Sequence, residues 1–244
     1  NDVYKFFIPL PPLPIQKKIV EAIEAIEVEE TEARQTLETT KQAIEAAIAD
    51  CQTHFNSIPL SNLAEVNPPK NLEGYNEDEL VAFIEMAAVT EDGKLAKIAE
   101  RKLSEVMTGY TCFREGDVLL AKITPCMENG KIVFLDALTY KLGFGSTEFF
   151  VIRAKDKITA KVIYHFLNRP AFRKPAERAM TGASGHRRVP KEFIMDFSVP
   201  ALPPTEHQVL LEKIAAHEDK RREAEIILAA AAAKKRQILL DGIK

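Results

Sequence analysis

The chain has 244 residues, 46% apolar and 28% charged, with a net charge of −3 and three cysteines, Cys51, Cys112 and Cys126, at no metal-ligand spacing. These figures exclude a disulfide-stapled miniature and a uniformly basic nucleic-acid binder, and no apolar run approaches the length of a membrane span. They leave one large or two modest domains, and unpaired cysteines point to a reducing, cytoplasmic setting.

Residues 1–13 read as a short strand, Val3 to Ile8, running into a polyproline elbow. The expectation is the tail of a preceding copy of whatever follows. Residues 14–54 then contain no glycine and only one proline, Pro14, at their start. Ile19, Ile23, Ile26, Ala33, Leu37, Ile44 and Ala47 fall on one stripe of 3/4 spacing, broken by Glu30 and Thr40. That is the seam of a long coiled-coil helix, about 60 Å from end to end. A rod of that length needs a partner for its stripe.

Between residues 55 and 200 the period shortens to about two, which predicts a β-rich globule. Candidate strands are Val81 to Met86, Thr111 to Phe113, Val118 to Ile123, Lys131 to Leu135 and Glu148 to Arg153. Glu91-Asp92-Gly93 and Glu115-Gly116-Asp117 are turn signals, and Leu142-Gly143-Phe144-Gly145 reads as a loop before a strand. Thr159 is expected to cap a helix whose apolar face uses Val162, Ile163, Phe166 and Leu167 and which stops at Asn168-Arg169-Pro170. A second short helix, Ala171 to Met180, leads to a glycine loop at Thr181 to Pro190.

Residues 201–244 supply the missing partner. Phe6, Pro9, Pro12, Glu21, Ile23, Glu27, Glu32, Ala33 and Leu37 recur as Phe197, Pro200, Pro203, Glu212, Ile214, Glu218, Glu223, Ala224 and Leu228, always 191 residues on. Strand end, proline elbow and long helix thus occur twice. The fold class expected is α+β, a β-rich globule flanked by two long helices that pair as an antiparallel coiled coil.

Charge is spread unevenly along this plan. Residues 14–54 carry nine acids against four bases, whereas 161–191 carries eight Lys or Arg and a single acid, Glu177. Such a basic stretch is an electrostatic footprint that net charge conceals. Catalytic motifs are weaker. Asn67-Pro68-Pro69-Lys70 resembles the Asn-Pro-Pro-aromatic motif of DNA adenine methyltransferases, but its fourth residue is lysine and no glycine-rich cofactor turn accompanies it. Pro125-Cys126 with Glu128-Asn129 lacks the setting a nucleophilic thiolate needs. His54, His165, His207 and His217 are scattered and read as packed or solvated, whereas His186 lies in a polar loop suited to a ligand.

LPPLPIQKKIVEAI, ALPPTEHQVLLEKI, FREGDVLLAKITPCMENGK, GFGSTEFFVIR and TGASGHRRVP, in their order, resemble the DNA-specificity subunit of type I restriction-modification systems. In that family two target recognition domains alternate with two helical regions that serve as spacer and as docking site for methyltransferase subunits. The resemblance implies the end of a first recognition domain in 1–13, a conserved helix in 14–54, a target recognition domain in 55–200 and a second elbow and helix in 201–244. It implies duplex DNA as ligand, methyltransferase and restriction subunits as partners, and no catalytic residue, metal or cofactor in this chain. The chain departs from the full pattern in holding one complete recognition domain, so a homodimer through the helices is expected if it acts alone.

Candidate DNA-contacting residues follow from residue type. Arg169, Arg173, Lys174 and Arg178 on the helical segment suit phosphates, and Lys191 ends the basic stretch. Arg187 and Arg188, with Ser184 and His186, occupy a glycine loop able to approach a groove, where an arginine fork can take guanine. Lys122, Thr124, Glu128, Asn129 and Lys131 flank one turn, and Ser146, Thr147 and Glu148 another. Two other readings stay open: a free-standing adenine methyltransferase fragment, and a coiled-coil scaffold that reads no DNA.

Overall fold

The computed structural model describes residues 10–183 and 185–243. The expected strand at Val3 to Ile8 and the candidate Ser184 lie outside the described residues. In chain order the elements are α1 (Leu13–His54), β1 (Ser57–Pro59), β2 (Ala64–Val66), β3 (Leu80–Ile84), β4 (Ala99–Lys102), α2 (Leu103–Val106), β5 (Thr111–Phe113), β6 (Val118–Ala121), β7 (Ile132–Phe134), β8 (Gly143–Gly145), β9 (Phe149–Ala154), α3 (Lys157–Leu167), α4 (Pro170–Ala179), α5 (Lys191–Asp196), β10 (Ser198–Pro200) and α6 (Pro204–Ile243). The chain divides into two compact units, one of helix as far as Ala47 and from Glu212 onward, the other spanning Ile48–Leu211.

In the helical unit α1 and α6 run antiparallel. Lys235 bridges Glu27 at 3.3 Å and Glu30 at 2.8 Å, Lys234 reaches Glu29 at 3.4 Å, and Gly242 lies against Ile19, so residue numbers fall along one helix as they rise along the other. The first residues of the helices, Leu13 and Pro204, are separated by the same 191 residues as the sequence repeat. Ile26, Ala33 and Thr40 on α1 are buried seven residues apart, as are Ala224 and Ala231 on α6, the spacing of a coiled-coil seam, and Ile214 is buried ten residues before Ala224. The two breaks in the α1 stripe are accommodated differently. Thr40 turns its hydroxyl onto the Thr36 carbonyl at 2.7 Å, and Glu30 takes Lys235. Arg221 pairs along its own helix with Glu225. Leu37 and Leu228, expected to be buried in the seam, are only half-buried.

The second unit holds two four-stranded sheets. One has the antiparallel order β2-β9-β6-β7, and the other the order β4-β3-β8-β5, in which β3 and β8 are parallel. Ile84 and Phe113 of the second sheet share a buried cluster with Leu119, Val133, Phe149 and Val151 of the first. Every residue of β6 is buried, and α3 packs against β6, β7 and β9 through a face that includes Val162, Ile163 and Phe166. A separate cluster of Val81, Phe83, Leu103, Val106, Cys112 and Phe144 lies on the remaining side of the second sheet, under α2. A two-stranded pairing of β1 with β10 sets Ser57 opposite Pro200 and Pro59 opposite Ser198.

Two local expectations are corrected. Helix α3 starts at Lys157, and its cap is Asp156, whose carboxylate accepts from the Thr159 amide at 2.8 Å and from the Thr159 hydroxyl at 2.9 Å. Thr159 is therefore the capped residue. Gly143-Phe144-Gly145 is an interior strand, not a loop. A Cβ on Gly143 would sit 2.1 Å from Cε2 of the Phe113 ring, and one on Gly145 would sit 2.5 Å from the Ile84 carbonyl oxygen. Both glycines are there to let Phe113 and β3 approach.

His165, inward on α3, is buried, and its Nε2 makes no hydrogen bond among the described residues. Burial pushes its pKa down to about 4, from an ordinary value of 6.5. Below pH 6.5 the unfolded chain takes up a proton that the folded chain refuses until about pH 4, so stability is lost as pH falls through that window. Between pH 7.5 and 4.5 this residue should remove about 2–3 kcal/mol of folding stability. Denaturation midpoints at the two pH values should differ by that much less in His165→Leu, and an identical pH dependence in both proteins would contradict the neutral, buried imidazole.

Candidate nucleic-acid interface

Three loops meet at one end of the β2-β9-β6-β7 sheet. The turn after β6, residues 122–131, joins the turn before β9 through the Lys122 amide, which donates to the Glu148 carbonyl at 2.9 Å. It joins the glycine loop as well, because the Thr124 amide donates to the Arg187 carbonyl at 3.0 Å and the Val189 amide to the Lys122 carbonyl at 2.9 Å. Arg188 forms isolated bridges with both Ile123 and Thr181. The glycine loop is thus stitched across the end of the sheet. Gly182 (φ 115°) and Gly185 (φ 78°) supply the left-handed backbone that brings it there.

Side chains then divide into held and open. Glu148 takes Arg188 in a two-point ion pair, with Nε at 2.9 Å and Nη2 at 2.7 Å, and this contact holds the Glu148 carboxyl below the usual range. Arg187 points elsewhere: its Nη2 donates to the carbonyls of Glu177 at 3.0 Å and Met180 at 3.2 Å, closing the C-terminal end of α4. Lys122 lies over the Phe150 ring, 5.5 Å from its centroid, and His186 is exposed. Ser146 accepts from the Glu148 amide at 3.2 Å, shaping the turn that also contains the exposed Thr147.

On the flank of this end, Thr124 donates to Glu128 at 2.5 Å, Asn129 donates to Glu91 at 2.7 Å and Lys131 donates to the Met86 carbonyl at 3.2 Å. The Arg173 guanidinium of α4 leans on the same turn, close enough to Gly130 that a Cβ there would collide with it. Lys174 and Lys191 occupy exposed positions on α4 and α5. Arg169 does not suit a phosphate after all: it is buried, with Nη1 3.3 Å from the Gln52 side chain. Glu91, which anchors Asn129, escaped sequence reading because it sat in what looked like an ordinary turn.

The methyltransferase-like motifs are occupied by structure. Asn67 has a left-handed backbone (φ 54°), donates its amide to the Val151 carbonyl at 2.7 Å and accepts the Val151 amide on its side chain at 2.9 Å. It ties β2 to β9. Cys126 sits half-buried inside the turn, and among the described residues no group of His, Cys, Asp and Glu is arranged to hold a metal. No described helix is long and apolar enough to cross a membrane.

The chain shares its fold with solved structures from type I restriction-modification systems. The S subunit of such a system from M. genitalium superposes with a TM-score of 0.54 over 95% of this chain and 61% of that one, at 10% identity. A structure from a study of complex assembly and conformational transition in a type I system gives a TM-score of 0.50 over 96% of this chain and 58% of that one, at 17% identity. In sequence the chain is similar to the specificity subunits of the Escherichia coli type I restriction enzymes EcoEI, 35% identical over 151 residues, and EcoAI, 35% identical over 152. Each match covers 61% of this chain, which spans about a quarter (25%) of the length of either relative. No family model matches the chain. The resemblance read from the motifs is borne out in both sequence and fold.

Proposed function

We propose that the chain reads a specific sequence in double-stranded DNA, as the specificity subunit or half of one in a type I restriction-modification complex, and that partner subunits supply adenine methylation and restriction. The observation that carries this reading is the convergence of Lys122, His186 and Arg188 on one sheet end, flanked by Arg173 and Lys174. Phosphate contacts need cations around a rim, and base contacts need polar side chains on loops that enter a groove. Residues 55–200 then act as the target recognition domain, and 14–54 with 201–244 as spacer and docking surface for methyltransferase subunits, in the cytoplasm. The chain itself contributes no catalytic group and no cofactor.

One recognition domain reads half of a split site. Two copies related by a two-fold axis would read an interrupted palindrome with half-sites about 10 bp apart, centre to centre. Selection of bound sequences from a random duplex library tests both statements, since a symmetric, interrupted consensus is expected and a library with no enrichment would refute DNA reading. Lys174, exposed on α4, should act through phosphate charge alone. Lys174→Ala should weaken binding to every duplex alike and lower the slope of log affinity against log salt by about one unit. A loss confined to the selected site would move Lys174 from the rim to the bases.

A further inference from the structure

We propose that Glu148 is a positioning residue which holds Arg188 so that its free terminal N–H groups address a guanine, making guanine at one position of the half-site the base this ion pair specifies. The inference rests on the DNA-reading function proposed above and assigns the division of labour within it.

Donor counting carries the argument. A guanidinium has five N–H groups, one on Nε and two on each terminal nitrogen. Glu148 engages Arg188 through Nε at 2.9 Å and through Nη2 at 2.7 Å, and the His186 carbonyl accepts from Nη1 at 2.9 Å. Among the described residues, one N–H on Nη1 and one on Nη2 remain. Two donors on a planar fork are what guanine O6 and N7 accept in the major groove, and neither adenine nor a pyrimidine offers the same acceptor pair.

The fork is also held rather than loose. The Arg188 backbone is bridged to Ile123 on one side and Thr181 on the other, and the Glu148 carbonyl is fixed by the Lys122 amide. The Arg188 side chain nevertheless remains 43% exposed, against 25% for Glu148. A donor pair whose rotamer is already set loses less conformational freedom on binding than a free arginine does. Arg187 is the contrast: its Nη2 is spent on two carbonyls at the end of α4. The adjacent arginines therefore have different work, one presenting donors outward and the other closing a helix.

The experiment uses the full chain and the duplex that it selects, with each selected guanine replaced in turn by 7-deazaguanine, which lacks the N7 acceptor. For the unaltered protein, replacement at one position should weaken binding about tenfold or more. Arg188→Ala, which leaves no donor at this place, should bind the guanine and 7-deazaguanine duplexes within about twofold of each other at that position. Glu148→Ala should lose most of the same discrimination while its affinity for random duplex stays level or rises, because a negative charge has been removed. Glu148→Gln, which keeps one acceptor for the fork, should retain part of it. A merely structural role for Glu148 would lower specific and random binding together, and that outcome overturns the proposal. So does full guanine discrimination in Glu148→Ala, or an unaltered protein that selects a site yet is indifferent to 7-deazaguanine everywhere. Those failures leave DNA reading intact, whereas absence of any selected site would remove both.

Discussion

Replacing Arg153 with Met is expected to destabilise the second unit by about 3–5 kcal/mol, the range for stranding one member of a buried ion pair. Asp117 is fully buried and accepts Arg153 Nε at 2.8 Å, Arg153 Nη2 at 2.6 Å and the Arg114 amide at 2.9 Å. Met keeps the apolar length of the arginine stem, so the loss isolates the uncompensated carboxylate. The double variant Asp117→Leu with Arg153→Met should recover much of the loss, since a buried pair replaced by apolar groups is often near neutral. Denaturant midpoints of the two single variants and the double complete the cycle. A single-variant cost under about 1 kcal/mol would show that water reaches Asp117. The pair also matters for the site, because it locks β9 to β6, and the turn before β9 carries Glu148 while the turn after β6 carries Lys122.

The second large effect belongs to the helices. Ile214 is 1% exposed and Ile226, twelve residues along the same helix, 62%. Ile214→Asp removes a buried aliphatic side chain and puts an unpaired charge in its place, which should cost about 3 kcal/mol or more. Ile226→Asp should stay within about 1 kcal/mol. Thermal melts of the two variants separate the cases, and equal losses would refute the seam. Leu37 and Leu228, half-buried, should fall between these extremes.

The seam was legible because it needs only a period. Seven-residue spacing survives individual polar residues, so Thr40 and Glu30 did not hide α1, and a repeat 191 residues away independently marked α6. Strands with alternating or continuously apolar residues, such as Thr111 to Phe113 and Val118 onward, were legible for the same reason. β8 was not. Two glycines read as a loop until Phe113, thirty residues earlier in the chain, supplies the ring that needs their missing side chains. β4, with Glu100, Arg101 and Lys102 along a sheet edge, has no apolar pattern to find. The candidate site shows a parallel limit. Residue types located the basic loops, but partners decide what a charge is free to do. Arg169 is withdrawn by Gln52, 117 residues away, and Arg188 is oriented by Glu148, 40 residues away. Pairings over such separations leave no mark on local spacing.

The clasp of β1 with β10 has a consequence for how such a chain can change. Ser57 and Pro200 face one another across a single strand spacing, about 4.8 Å. All that lies between them is a closed loop of protein whose two ends are already side by side. A foreign segment with the same end separation could be spliced in there without altering the length or rotational phase of either helix. The segment between the two strands is in that sense a cartridge, and one cut at each strand suffices to exchange it.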